Sequence, residues 1–152
     1  MAYEERFMRE ALRQAKKAAA LDETPIGAVI VRDGRIIARG YNKRELKQNS
    51  LCHAEILAIN KACRKLGSWR LVGCDLYVTL EPCPMCAGAI IQSRIEQVYF
   101  GAYDYKNGCA GSSTNLFARG MFNHNTAIEG GLLERECAEL LSNFFKLLRK
   151  KK

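Results

Sequence analysis

Three side chains in two short stretches are of the types that hold a borderline metal ion: His53, and then Cys83 and Cys86. The stretches read His53-Ala54-Glu55 and Pro82-Cys83-Pro84-Met85-Cys86. A single Cys-x-x-Cys also fits a redox pair or half of a structural zinc centre. A structural zinc takes four protein ligands, and the chain has no second Cys-x-x-Cys and no His-x-x-x-His. The other histidine, His124, lies in the polar run Asn123-His124-Asn125, where a solvated or hydrogen-bonded side chain is the simpler reading. His53, Cys83 and Cys86 therefore leave a fourth position open, as a catalytic zinc requires. Glu55 then serves better as a proton carrier beside metal-bound water than as a ligand. Singly, each residue has a plainer reading: a core histidine, a helix-start acid favoured by the dipole, buried thiols. It is the combination that weakens those readings.

These residues must be carried by rigid elements. Phe7, Met8, Ala11, Leu12, Ala15, Ala18 and Ala19 recur at helical spacing, which predicts a helix over 3–21. An apolar run over 26–31 predicts a buried strand, Asp33-Gly34 a two-residue turn, and 35–41 the returning strand. Residues 42–52 read as a polar loop. A helix is predicted from Ala54 to about Leu66, stopping at Gly67. A strand follows over 76–80, and the prolines of Pro82-Cys83-Pro84 suit the opening of another helix reaching Ser93. A strand over 97–102 leads into a Gly- and Asn-rich excursion over 103–125, with one short helix expected near Asn115–Ala118. A short strand over 126–129 and a helix over 132–148 end the chain, followed by the basic tail Arg149-Lys150-Lys151-Lys152. Elements in this order imply an α/β fold, a mixed sheet with helices on both faces. His53 precedes one helix, and Cys83 and Cys86 sit in the first turn of another. Two helix starts aimed at one point would favour thiolates and a bound hydroxide.

The 152 residues form about one domain, without repeats, low-complexity linkers or a break in composition. At 48% apolar and 26% charged, the chain is neither disordered nor fibrous. No apolar run is long enough to span a bilayer, and the acidic start Met1-Ala2-Tyr3-Glu4-Glu5 lacks the features of a secretory signal. Cytoplasmic residence is the expectation, with no membrane partner. Lys and Arg exceed Asp and Glu by 24 to 16, a net charge of +8. That surplus favours a polyanionic partner and fits a merely basic protein equally well. Seven cysteines, an odd number, argue against a disulfide framework. Cys52, Cys63, Cys74 and Cys137 read as buried small hydrophobes.

The pattern His-x-Glu followed by Pro-Cys-x-x-Cys is the signature of zinc deaminases that act on nucleobases. Around it stand Thr24-Pro25-Ile26-Gly27-Ala28-Val29, Asn42, Gly67-Ser68-Trp69-Arg70-Leu71, Leu80-Glu81 before the cysteine motif, Ser93-Arg94-Ile95 and Gly108-Cys109-Ala110-Gly111-Ser112. On these residues the chain resembles, over nearly its whole length, the cytidine/deoxycytidylate deaminase superfamily. Within it the chain is most similar to the bacterial tRNA adenosine deaminases. The metal motifs are common to the superfamily and select no substrate. The Gly-Ser-Trp-Arg-Leu and Gly-Cys-Ala-Gly-Ser stretches and the basic, aromatic C-terminus are what point to the tRNA branch.

This resemblance implies a cytidine deaminase-like three-layer α/β/α sandwich with a mixed five-stranded sheet. It implies a homodimer with one Zn2+ per subunit, acting on a tRNA anticodon stem-loop. The implied reaction converts the wobble adenosine to inosine. In it His53, Cys83 and Cys86 hold zinc, whose water falls toward a pKa of ~7. Glu55 accepts that proton, hydroxide attacks C6 of adenine, and Glu55 returns protons to the ring and to departing ammonia. Asn42 is expected to hydrogen-bond the purine, a turn residue ending a strand being an equal reading. Ala54, Ile26 and Val29 join it as substrate-binding residues. Arg44, Arg70, Asp104, Lys106, Phe145 and Arg149 are the expected RNA contacts. Phe145 and Arg149 lie four apart, on one helix face, as suits stacking on splayed bases and holding phosphate. A core Phe145 with a solvated Arg149 is the rival reading, and Trp69 is expected to pack rather than stack. The rival functions are a free-base or nucleotide deaminase and a zinc-stabilised RNA-binding module without catalysis.

Overall fold

The computed structural model describes residues 2–151. Its elements are α1 Glu5–Ala20, β1 Gly27–Arg32, β2 Arg35–Tyr41, α2 Arg44–Lys47, α3 Ala54–Leu66, β3 Cys74–Leu80, α4 Pro84–Gln92, β4 Gln97–Ala102, β5 Ala127–Glu129 and α5 Glu134–Lys150. One five-stranded sheet runs in the order β2-β1-β3-β4-β5. β1 is antiparallel to both β2 and β3, and β3, β4 and β5 run parallel. The sheet is therefore mixed, as expected.

Strand alternation divides the core in two. Ala28, Ile30, Leu76, Val78, Val98 and Phe100 pack beneath α3 and α4. Val29, Val31, Tyr77 and Tyr99 pack with Phe7, Met8 and Leu12 of α1 and Cys137 of α5. Both faces are thus covered, which explains why β1 and β3 read as continuous apolar runs rather than as alternating ones. Each large side chain so buried contributes roughly 1.5–3 kcal/mol.

Register fixes what meets at the upper edge of the sheet. Gly27, the first residue of β1, pairs with Tyr41, the last of β2, and its neighbour Ala28 pairs with Val78 near the end of β3. Ile26, Asn42 and Leu80-Glu81 consequently emerge side by side. The loop after β4 leaves from the same edge, because Leu80 pairs with Ala102. α3 lies close against β2 because Gly40 has no side chain: a Cβ there would meet the Ala54 carbonyl and the Ala58 amide.

Four expectations need correction. Residues 42–52 are not loop throughout, since Arg44–Lys47 form a helical turn whose second and third amides are capped from a distance: the buried Glu23 accepts from Glu45 N at 3.1 Å and Leu46 N at 2.5 Å. Asn115–Ala118 form no helix. Asn115 Oδ1 takes the Phe117 amide at 3.0 Å, and Asn115 bridges to Ala110, so local side-chain bonding replaces the helical ladder. α5 runs on through Arg149 and Lys150, which are its last turn and not a tail. Cys52 and Cys63 are half-buried, unlike Cys74 and Cys137.

Candidate active site

His53 and Cys83 occupy the same local position in two different helices. Each is the extended residue immediately before the first turn, His53 (φ −76°, ψ 154°) of α3 and Cys83 (φ −77°, ψ 174°) of α4. A Ser or Asp at such a position bonds its own helix. Neither His53 nor Cys83 does so, which leaves the imidazole and the thiol to face each other. His53 Nδ1 lies 3.6 Å from Cys83 Sγ and 3.5 Å from Cys86 Sγ, and the three donor atoms all fall within 4.8 Å of one another. A tetrahedral zinc with Zn–S of ~2.3 Å and Zn–N of ~2.0–2.1 Å requires N···S separations of about 3.5–3.6 Å. Two sulfurs and an imidazole at this spacing fit that ion. No other His, Cys, Asp or Glu among the described residues joins the group.

The electrostatics suit a cation as well. The hydrogen bond from Cys86 holds the Cys83 thiol far below its usual range, at about 4, with the His53 ring acting in the same direction. The same hydrogen bond, together with burial, pushes Cys86 upward. The helix starts add partial positive charge at the thiolate. Glu55, in the first turn of α3, is buried, and that burial pushes its carboxyl up to about 7. It lies alongside Cys86.

These groups form one wall of a cavity of about 270 Å³, which Ile26, Asn42, Arg44, Leu80, Pro84 and Asp104 help to enclose. Asn42 is both a turn residue and a lining residue. Its Oδ1 accepts the Arg44 amide at 3.1 Å, and its Nδ2 donates to the Thr24 carbonyl at 3.3 Å. A wider groove of about 620 Å³ adjoins the cavity, sharing Arg44 and Asp104 and adding Tyr103, Tyr105, Lys106 and Phe145. Phe145 is 41% exposed, so it stands outside the core, and the half-buried Phe144 packs toward the α1 side instead.

Other expected residues lie elsewhere. Val29 points to the opposite face of the sheet, between α1 and α5, because it alternates with Ala28 and Ile30. Ala54 is wholly buried under Gly40 and lines no part of the cavity. Arg70 stands before β3, at the end of the sheet remote from His53. Its guanidinium covers the Trp69 ring at 4.5 Å, and Trp69 is 55% exposed rather than packed. Arg149 is exposed in the last turn of α5, outside the groove lining.

Glu81, to which the sequence pattern assigns no site role, is 2% exposed and in the cavity wall. Its Oε1 accepts Asp104 N at 3.0 Å and Ser112 Oγ at 2.5 Å, and its Oε2 accepts Ala110 N at 2.9 Å and Ser112 N at 3.1 Å. The signal is an acid placed between the end of β3 and the cysteine motif.

The model of the MafB19-like deaminase family matches residues 3–149. The tRNA-specific adenosine deaminase of Bacillus subtilis (strain 168) is 55% identical over 152 residues, covering 100% of this chain and 94% of its own length. A structure solved in studies of A-to-I editing by tRNA:A34 deaminases at the wobble position of transfer RNA superposes with a TM-score of 0.87 at 47% identity, covering 91% of this chain and 100% of that one. A guanine deaminase from Nitrosomonas europaea gives a TM-score of 0.81 at 27% identity, covering 95% and 85%. The chain belongs to the MafB19-like deaminase family, on the branch of the tRNA-specific adenosine deaminases.

Proposed function

We propose that this protein is a zinc-dependent hydrolase that deaminates the wobble adenosine of a tRNA anticodon to inosine. The observation that carries this reading is the buried Glu55 beside a three-donor His/Cys/Cys group, in a cavity that opens onto a groove bearing cations and exposed aromatics. The likeness to tRNA-specific adenosine deaminases supplies the substrate class.

Zinc held by His53, Cys83 and Cys86, one ion per subunit, would supply a water acidified toward ~7. Glu55 is the proton carrier. Its burial shields the proton from bulk water, and its place in the first turn of α3 lets it serve the purine ring and the departing ammonia in turn. Asn42 has one Nδ2 hydrogen committed to Thr24, and the second is offered to the purine. Ile26 and Leu80 supply apolar walls for the base. Arg44 and Lys106 face phosphate, Phe145 offers its ring for stacking, and Asp104 offers a carboxylate oxygen to a ribose hydroxyl. Arg149 extends the cationic surface along α5. The protein acts as one domain over 1–152, as a homodimer and in the cytoplasm. These last points are extended to it from the family resemblance; separately, no described helix is long and apolar enough to cross a membrane.

Incubation with tRNA carrying an unmodified wobble adenosine tests the proposal, with nucleoside analysis of the product. Inosine at that position is the expected result. Ammonia released from guanine or cytidine, with the tRNA left unchanged, would overturn the choice of substrate. RNA binding without deamination of any of these would leave only a binding module.

A further inference from the structure

Glu81 stands between the strand that ends at the site and the motif that supplies two of its donors, yet it touches neither the donor group nor Glu55 through any described hydrogen bond. All four of its bonds go to one loop, residues 104–112. Three of the donors are backbone amides, and the fourth is the Ser112 hydroxyl. Burying a carboxylate is costly unless it is met by donors in this way, so the loop and the glutamate hold each other. The fit is close on the other side too. Gly108 lies against the Glu81 carboxyl, where a Cβ would collide with it. The same loop donates Cys109 N to the Pro82 carbonyl at 2.8 Å. It carries Asp104, Lys106 and Asn107, which line the cavity or the adjoining groove.

From this geometry we infer that Glu81 is a positioning residue for substrate: it sets the height of the 104–112 loop above the cavity, so that this wall grips the nucleotide around the reacting base. The inference rests on the function proposed above. The loop touches substrate both before and during reaction, so its displacement weakens ground state and transition state alike. Binding lost uniformly raises KM and spares kcat.

Glu81→Gln tests this. The carboxamide cannot accept from both Asp104 N and Ala110 N, since one of its ends is a donor. Gly108→Ala disturbs the same contact from the loop side with the carboxylate intact. Each variant is expected to retain the wild-type metal content and to raise KM for an anticodon stem-loop at least tenfold, with kcat falling no more than threefold. Amide exchange at Asp104, Ala110 and Ser112 is expected to accelerate in Glu81→Gln. An unchanged KM overturns the inference. So does loss of metal, or a fall in kcat as large as the rise in KM, because Glu81 would then act through the cysteine-bearing turn. Should Glu81→Gln not fold, Ser112→Ala removes a single donor and is expected to raise KM two- to fivefold, and no rise overturns the inference. Failure of the functional reading is separable: wild-type protein would form no inosine. In that case the inference stands or falls on whether Glu81→Gln weakens stem-loop binding and speeds exchange at those three amides.

Discussion

At the scale of single residues, chemistry and metal retention divide between two kinds of side chain. Glu55→Gln preserves shape and burial and removes the proton carrier. It is expected to keep bound metal and stem-loop affinity while lowering the single-turnover rate of inosine formation by roughly 10²–10⁴-fold, the range of general acid–base catalysis. Full activity in that variant would dismiss the proton role. Cys86→Ser exchanges a sulfur donor for a poorer one. Metal analysis after dialysis against a chelator should show it losing the ion that wild type retains, with activity falling in parallel. Donors and acid could be recognised from residue type and spacing because each bears a chemically distinctive group. Glu81 could not, since a glutamate's role depends on its hydrogen-bond partners, and these come from 23 to 31 residues further on.

Among the elements, the decisive contact is the close approach of α3 to β2. Gly40→Ala places a Cβ against the Ala54 and Ala58 backbone, immediately behind His53 and Glu55. Overpacking of this kind costs about 1–3 kcal/mol. We expect thermal unfolding to shift downward accordingly, and inosine formation to suffer more than stability does, because the helix carrying both residues must move. A variant with wild-type melting and turnover would show that α3 has slack at this point. The strands and long helices were legible in sequence because each follows a hydrophobic period or ends at a recognisable stop, as Gly67 does for α3 with φ 63°. The α2 turn was not. Its second and third amides are satisfied by Glu23, about twenty positions earlier, and a local pattern does not contain that information. Val29 was misplaced for a related reason: in a strand covered on both faces, sequence alone does not tell which alternate residues look toward the site.

For the molecule as a whole, the relevant quantity is how its positive charge is laid out. Arg44 and Lys106 border the groove that leads out of the cavity, and the exposed Phe145 of α5 lines the same groove. Lys106→Ala is expected to weaken stem-loop binding and to reduce the slope of log K against log salt by about one. Phe145→Ala should weaken binding while leaving that slope unchanged, because stacking releases no counterions. Equal effects on the slope would argue that the ring serves only to hold the neighbouring cations. The guanine deaminase of Nitrosomonas europaea has a similar fold, and the Glu81 anchor bears on how one architecture admits different bases. Three of its four bonds are to main-chain amides, which every residue except proline provides. The exposed side chains of Tyr105, Lys106 and Asn107, which line the groove and take no part in holding Glu81, are therefore free to be exchanged without unfastening the loop. Random replacement there should alter which nucleobase is accepted far more readily than it impairs folding, making this wall the natural place for selection, natural or in the laboratory, to retune preference.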